Sequence, residues 1–159
     1  MAHDLIIRNA PLGDSTLVAR KLAADKRLLV ASPAYVERYG SPLSPDALSE
    51  HRCVILAGYD RWKFESEQII APPHSITVND GEAMRTLIES GMGIGIQSHW
   101  IASEQLKNGS LVRLLPDHPL KTESAIWALY PSNRIVAPKV RAMIDFLLEQ
   151  FQPIPPWER

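Results

Sequence analysis

Short apolar runs recur along the chain, and polar segments separate them, a pattern typical of strands in a buried sheet. The run at 62–64 alternates apolar and polar positions, which predicts a half-exposed strand. We expect 65–74 to form a loop and the tail from Pro153 to be irregular. The predicted strands cover residues 5–8, 16–22, 27–31, 54–56, 62–64, 75–78, 94–98, 111–113 and 125–130.

Five segments between these runs carry the start and stop signals of helices. Ser32 is expected to cap a helix over 33–39 that ends at Gly40. Ser44, which also precedes a proline, predicts a second helix over 45–50. Both predictions rest on local signals only.

The other three helices follow from capping and periodicity. Asn79 and Glu82 have the spacing of a capping box, which predicts a helix that Gly91 ends. A fourth helix is expected over 99–107. The last begins at Pro138, and its apolar positions share one face: Val140, Met143, Ile144, Leu147, Leu148 and Phe151. Strands that alternate with helices predict the α/β class with a mainly parallel sheet.

Composition narrows the possible functions. The 159 residues, 45% of them hydrophobic, suffice for one domain with its own core. With a net charge of -1, the chain has no excess of basic residues, which a nucleic-acid-binding surface would need. Cys53 is the single cysteine, which excludes a disulfide framework. No apolar run reaches the ~20 residues of a membrane helix, and no signal peptide is visible, so we expect a cytoplasmic protein.

Three predicted turns lead from a strand into a helix and place a polar cap there, at Ser32, Asn79 and Ser98. Ligands of open α/β sheets bind at the carboxyl ends of the strands, where helix N–H groups favour an anion. Every helix needs a cap, so a purely structural role remains open for each turn. Arg8 ends the first strand and is either an anion clamp or a solvated charge.

Catalytic and metal-binding patterns are missing from the sequence. The five histidines include no pair with helical metal-ligand spacing, and Ser98-His99 lacks a nucleophile elbow. Cys53 lies in an apolar run, where an inert thiol is expected. The glycines of 91–95 follow a helix and enter a strand, the wrong order for a phosphate loop. We therefore expect a ligand-binding protein that is not an enzyme and needs no metal or other cofactor.

A set of ordered segments resembles the effector-binding domain of LysR-type transcriptional regulators. The match extends over about residues 4–150. Trp62 to Phe64 and the Tyr-Pro-Ser-x-Arg segment ending at Arg134 resemble the large subgroup that includes many regulators of small organic acid metabolism. The segments are DLIIR (4–8), ASPAY (31–35), NDGEA (79–83), GMGIGI (91–96), GSLVRLL (109–115), YPS (130–132) and VRAMIDFL (140–147).

The resemblance implies a two-lobed fold similar to that of type 2 periplasmic binding proteins, with the ligand between the lobes. Residues 23–127 would form the second lobe, and 1–22 with 128–159 part of the first. The implied effector-binding residues are Arg8, Asn9, Pro11, Ser32, Asn79, Asp80, Gly81, Gln97 and Ser98.

The resemblance also implies parts that this sequence does not contain. Family members begin with a winged helix-turn-helix, and the first lobe here would be incomplete. The expected function is to sense a small anionic metabolite, with DNA contacted only through the missing domain and with a homodimer or homotetramer as the assembly. The alternatives are a solute-binding protein of the same fold and, less favoured, an enzyme that uses His99 or Cys53.

Overall fold

The computed structural model describes residues 3–73, 75–132 and 135–159, so the predictions that involve His74 and Arg134 lie outside the described residues. The strands are β1 (Ile6–Pro11), β2 (Leu17–Ala24), β3 (Arg27–Ala31), β4 (Cys53–Leu56), β5 (Trp62–Lys63), β6 (Ile69–Ile70), β7 (Ser75–Val78), β8 (Ile94–Ser98), β9 (Val112–Arg113) and β10 (Ser124–Pro131). The α-helices are α1 (Pro33–Tyr39), α2 (Gly81–Glu89), α3 (His99–Asn108) and α4 (Pro138–Phe151), and two short 3-10 helices cover Asp46–Glu50 and Pro156–Glu158.

The chain forms two compact units, Met1–Asp25 with Glu123–Arg159 and Lys26–Thr122. Residues 23–25 and 123–127, which we expected in the second lobe, therefore belong to the unit that holds both termini. The reason is that β10 pairs with β2 from Ala125 to Pro131, and a division inside the strand would break this ladder.

The first unit is a three-stranded sheet covered on one face by α4. β10 lies in the middle and runs antiparallel to both β1 and β2. The expected parallel pairing is wrong for this sheet, because the central strand β10 runs opposite to both of its neighbours, while β1 and β2 share one direction but are not adjacent. Val140 and Ile144 of α4 pack on Ile126 and other buried side chains of the sheet.

Two features of the first unit differ from what the sequence predicts. Met143 lies in the apolar series of α4, yet half of it is exposed, because Val140 and Ile144 occupy the face that meets the sheet. The tail is also partly ordered. The rings of Phe151 and Trp157 meet edge to face, with their centroids 5.0 Å apart.

The second unit is a five-stranded sheet in the order β7-β4-β8-β3-β9. β4 is parallel to β7 and to β8, and β3 is antiparallel to β8 and to β9. Four strands thus share one direction and β3 alone opposes them. The α/β class is confirmed, with parallel strands concentrated in this unit.

Helices cover one face of this sheet. Met84 and Ile88 of α2 and Ala102 of α3 pack on Val30 and Val54 of the sheet. Gly95 of β8 lies below α2, and a Cβ atom there would stand 2.5 Å from Cδ1 of Ile88. The glycine allows the helix to approach the strand closely. The glycines at 91–95 therefore serve a turn and close packing.

The other face of the sheet is covered by α1, a 3-10 helix and a small hairpin. The hairpin pairs β5 with β6, so the expected loop over 65–74 contains a strand. Trp62 and Phe64 are buried and Lys63 between them is partly exposed, which agrees with the alternation expected of a half-exposed strand, although β5 itself covers only Trp62–Lys63. Both aromatic residues belong to the buried cluster that contains Leu48 and Tyr35. The predicted second helix is a 3-10 helix over Asp46–Glu50.

Candidate functional site

The residues singled out from the sequence fall into three separate places. Arg8, Asn9 and Pro11 lie on β1 of the first unit, where Arg8 and Pro11 are exposed. The side-chain oxygen of Asn9 is buried and has no hydrogen-bond partner among the described residues. The remaining six residues lie in the second unit.

Ser32 lies at one end of the strands of the five-stranded sheet, and the other five residues lie at the opposite end. Because β3 is antiparallel to β8, the end of β3 lies beside the beginning of β8. Ser32 is buried, and its hydroxyl accepts a hydrogen bond from the backbone N–H of Tyr35 at 3.1 Å. The structure therefore separates Ser32 from the expected ligand edge and gives its side chain a capping role.

The other five residues meet at the carboxyl ends of β7 and β8. Gln97 is 2% exposed, and its side-chain Nε2 donates to the carbonyl oxygen of Gly81 at 3.2 Å. A Cβ atom on Gly81 would stand 3.0 Å from Cδ1 of Ile101 in α3. The amino-terminal ends of α2 and α3 therefore lie side by side at this edge.

The two helix ends differ in their electrostatics. Asp80, not Asn79, is the N-cap of α2, and its Oδ1 accepts from the N–H of Ala83 at 2.8 Å. The capping box expected from Asn79 is therefore wrong by one residue. Asp80 and Glu82 place two carboxylates at this helix end, which disfavours a further anion there.

The beginning of α3 is more favourable for an anion. Its first turn contains no acidic residue, and in the described part of the chain the side chain of its N-cap, Ser98, makes no capping hydrogen bond. The first N–H group, that of His99, donates to the carbonyl oxygen of Lys26 at 2.8 Å. The next N–H groups of a helix have no partner within the helix.

Arg27 adds a positive charge to this edge and was missed in the sequence analysis. It is the first residue of β3 and pairs with Ser98, the last residue of β8. Its guanidinium carbon stands 4.5 Å from the centre of the Tyr59 ring, which follows β4. The signal in the sequence was the Lys26-Arg27 pair at a strand start, which becomes informative only once β3 is known to run antiparallel to β8.

A second polar cluster lies near the amino end of β4. The Tyr35 hydroxyl accepts a hydrogen bond from the N–H of Arg52 and stands 2.8 Å from Nδ1 of His51. Burial lowers the pKa of His51 and raises the pKa of Tyr35. Burial also raises the pKa of the Cys53 thiol to about 12. A thiol with this pKa is protonated at neutral pH and is a poor nucleophile.

Comparison with known proteins identifies the family. The LysR substrate binding domain matches residues 2–152. The HTH-type transcriptional regulator DmlR of Escherichia coli K12 is 33% identical over 161 aligned residues, which cover 93% of this chain and 50% of DmlR. This chain spans about half the length of the curated relatives that it matches.

Solved structures show the same fold. The regulatory domain of CrgA, a LysR-type transcriptional regulator from Neisseria meningitidis, superposes with a TM-score of 0.78 at 29% identity, covering 92% of this chain and 74% of that domain. The regulatory domain of AphB from Vibrio vulnificus gives 0.77 at 29% identity, with 92% and 75% covered.

Within the described residues, no helix is long and apolar enough to cross a membrane.

The resemblance noted in the sequence is confirmed by the match to residues 2–152 and by both superpositions. The chain belongs to the LysR substrate-binding domain family.

Proposed function

We propose that this chain is the effector-sensing part of a LysR-type transcriptional regulator and that it binds a small anionic metabolite at the beginning of α3. The observation that carries the proposal is that, within the described residues, α3 begins without a side-chain cap beside Arg27, at the carboxyl ends of the parallel strands β7, β4 and β8. The chain is proposed to act as a sensor and not as an enzyme.

The electrostatics of the edge favour an anion over a neutral ligand. The amino-terminal end of a helix carries about half a positive charge, and its first N–H groups point at a bound anion. Arg27 is a guanidinium with donors arranged for two parallel hydrogen bonds to a carboxylate. α2 is the poorer end for the ligand because Asp80 already occupies the N–H of Ala83.

The larger system is proposed from the relatives. DmlR is named a transcriptional regulator with a helix-turn-helix, and this chain spans about half of its length. We propose that DNA is bound by a domain outside this chain, that the regulator works in the cytoplasm as a homodimer or homotetramer, and that the two units correspond to the two lobes of the family fold. Effector binding would then shift the equilibrium between DNA-bound states.

The solute-binding alternative has the same fold and the same kind of site. It differs in its partner, because a transport protein has no DNA-binding domain. Sequencing the gene upstream of the first codon distinguishes the two. An in-frame helix-turn-helix supports the regulator, and a secretory leader would favour the alternative.

Arg8, Asn9 and Pro11 on β1 remain predicted contacts of the effector.

The binding site can be tested with acetate, succinate and benzoate, each titrated into isotope-labelled protein and followed by amide NMR. We expect the largest shifts at the amides of Trp100 and Ile101 with at least one of the three. A negative charge in the first turn of α3 should repel the anion, so Trp100→Glu is expected to weaken binding about tenfold or more.

Trp100 is 41% exposed, so the fold should tolerate its substitution. Trp100→Gln is the matched control, because glutamine has nearly the size of glutamate but carries no charge. The Gln variant should therefore bind the anion more tightly than the Glu variant. Shifts confined to residues away from the start of α3, or equal affinities of the two variants, would refute the proposed site. Absence of binding for all three carboxylates would refute the proposed ligand class.

A further inference from the structure

Trp127 lies on the face of the first unit's sheet that points away from α4. Its neighbours in β10, Ile126 and Ala128, pack with Val140 and Ile144 of α4. Successive side chains of a strand point to opposite faces of the sheet. The side chain of Trp127 therefore belongs to the face that α4 does not cover.

A positively charged side chain flanks Trp127 on each of the two neighbouring strands. Arg8 of β1 pairs with Trp127, and so does Lys21 of β2 on the other side. Residues that stand directly opposite each other on paired strands share a face. The three side chains thus form a row across the sheet, which we call the tryptophan row. Its two cations start from Cα atoms about 10 Å apart, because they are two strand spacings from each other.

The protein does not neutralise the cations of the tryptophan row. Both side chains are exposed, and within the described residues neither of them forms an ion pair. The three strands contain one further charge, that of Arg20, and no acidic residue. Asp4, which precedes β1, forms an ion pair with Lys139 of α4. The face that carries the row therefore attracts anions.

The indole ring gives the row a flat apolar centre. The Nε1–H of Trp127 donates to the carbonyl oxygen of Ala10 at 3.1 Å, so the ring leans toward the next row of the sheet. That row consists of Ala10, Ala125 and Ala24, and their small side chains leave room for the ring. Trp127 is only partly buried, so part of its surface can stack on an aromatic ligand.

We propose that the tryptophan row binds an aromatic dicarboxylate, whose ring lies on Trp127 and whose two acidic groups meet Arg8 and Lys21. Charge complementarity selects this class of ligand. A ligand with a single carboxylate uses only one of the cations, and an aliphatic dicarboxylate loses the ring contact. The site lies in the first unit and goes beyond the proposed function, because it does not involve α3.

Terephthalate, with two carboxylates on opposite sides of a benzene ring, is the probe for this site. Titrated into the isotope-labelled protein, it should shift the amide signals of Arg8 and Lys21 and the indole N–H signal of Trp127. Trp127→Phe identifies that indole signal by its loss. Benzoate has one carboxylate and succinate has no ring, so each should bind the row about two- to fivefold more weakly. Terephthalate that binds no more tightly than either would refute the proposed ligand class.

The two cations are tested by substitution, and the chain offers a matched control. Arg8→Gln and Lys21→Gln should each raise the dissociation constant of terephthalate about two- to fivefold, the range for one exposed ion pair. Arg20→Gln removes the same charge from the residue next to Lys21. Arg20 pairs with Ala128 and lies on the α4 face, so this variant should change the constant by less than about 1.5-fold. Equal effects of Arg20→Gln and Lys21→Gln would show only a general attraction of anions and would contradict the site.

The readout separates this site from the one proposed at α3. Terephthalate shifts confined to Trp100 and Ile101 would refute the tryptophan row and leave the proposed function intact. Shifts at the row, in a protein whose α3 amides respond to no carboxylate, would support the row and refute the proposed function. Trp127→Leu should also remove the preference for terephthalate over succinate. If that variant does not fold, the same comparison of the two ligands on the native protein tests the role of the ring.

Discussion

The buried side chain of Gln97 in β8 donates a hydrogen bond at 3.2 Å to the carbonyl oxygen of Gly81, the first residue of α2. A hydrogen bond of this kind contributes about 0.5–1.5 kcal/mol net to stability. The bond therefore helps to hold the two helix ends side by side at the candidate site.

The first prediction tests that bond. Gln97→Leu should lower the free energy of unfolding by about 0.5–1.5 kcal/mol, because the hydrogen bond from the Gln97 side chain to the Gly81 carbonyl oxygen is lost. Urea denaturation measures the effect. The control is Gln68→Leu, which removes a solvent-exposed bond to Asp46 and should cost less than about 0.5 kcal/mol. Equal losses in the two variants would show that the buried bond has no special weight.

The second prediction concerns the cap of α2. Asp80→Ala removes the side chain that accepts from Ala83 and should destabilise the protein by about 1 kcal/mol. Asn79→Ala is the matched control one residue earlier and should be nearly neutral. Thermal melts of the two variants decide between them. A larger loss for Asn79→Ala would favour the capping box expected from sequence.

The third prediction concerns acid. Burial lowers the pKa of His51, so the unfolded chain binds more protons than the folded one between that lowered value and about 6.5. Stability should therefore decrease as the pH falls below about 6.5. His51→Gln should flatten this part of the profile. Denaturant midpoints between pH 7.5 and 5.5 measure it, and an unchanged slope in the variant would contradict the assignment to His51.

The fourth prediction concerns the approach of β8 to β4. A Cβ atom on Gly93 would stand 2.7 Å from the carbonyl oxygen of Arg52, which is backbone and cannot rotate away. Gly93→Ala should therefore cost about 1–3 kcal/mol, as overpacking does. Gly13→Ala is the control, because none of the described atoms lies within 4 Å of its added methyl group. Similar denaturation midpoints for the two variants would exclude a steric role for Gly93.

Most element types were predictable from sequence because they depend on neighbours in the chain. α1 has the predicted bounds, since its cap, its first proline and its terminal glycine lie within nine residues. β3 and β7 also match their predicted ranges. The exceptions are local competitions. Asp80 replaced Asn79 as the cap, and the pair Ile69–Ile70 was too short to indicate β6.

The sequence by itself determined the family and the α/β class, and it predicted a group of cap positions for an anion. Only the tertiary structure decided which of those caps share an edge. Ser32 and Ser98 end strands that run in opposite directions, so they lie at opposite ends of the sheet. Arg27 and Tyr59 are brought together by strands that are distant in sequence. Strand direction and order depend on long-range pairing, which local capping and periodicity do not encode.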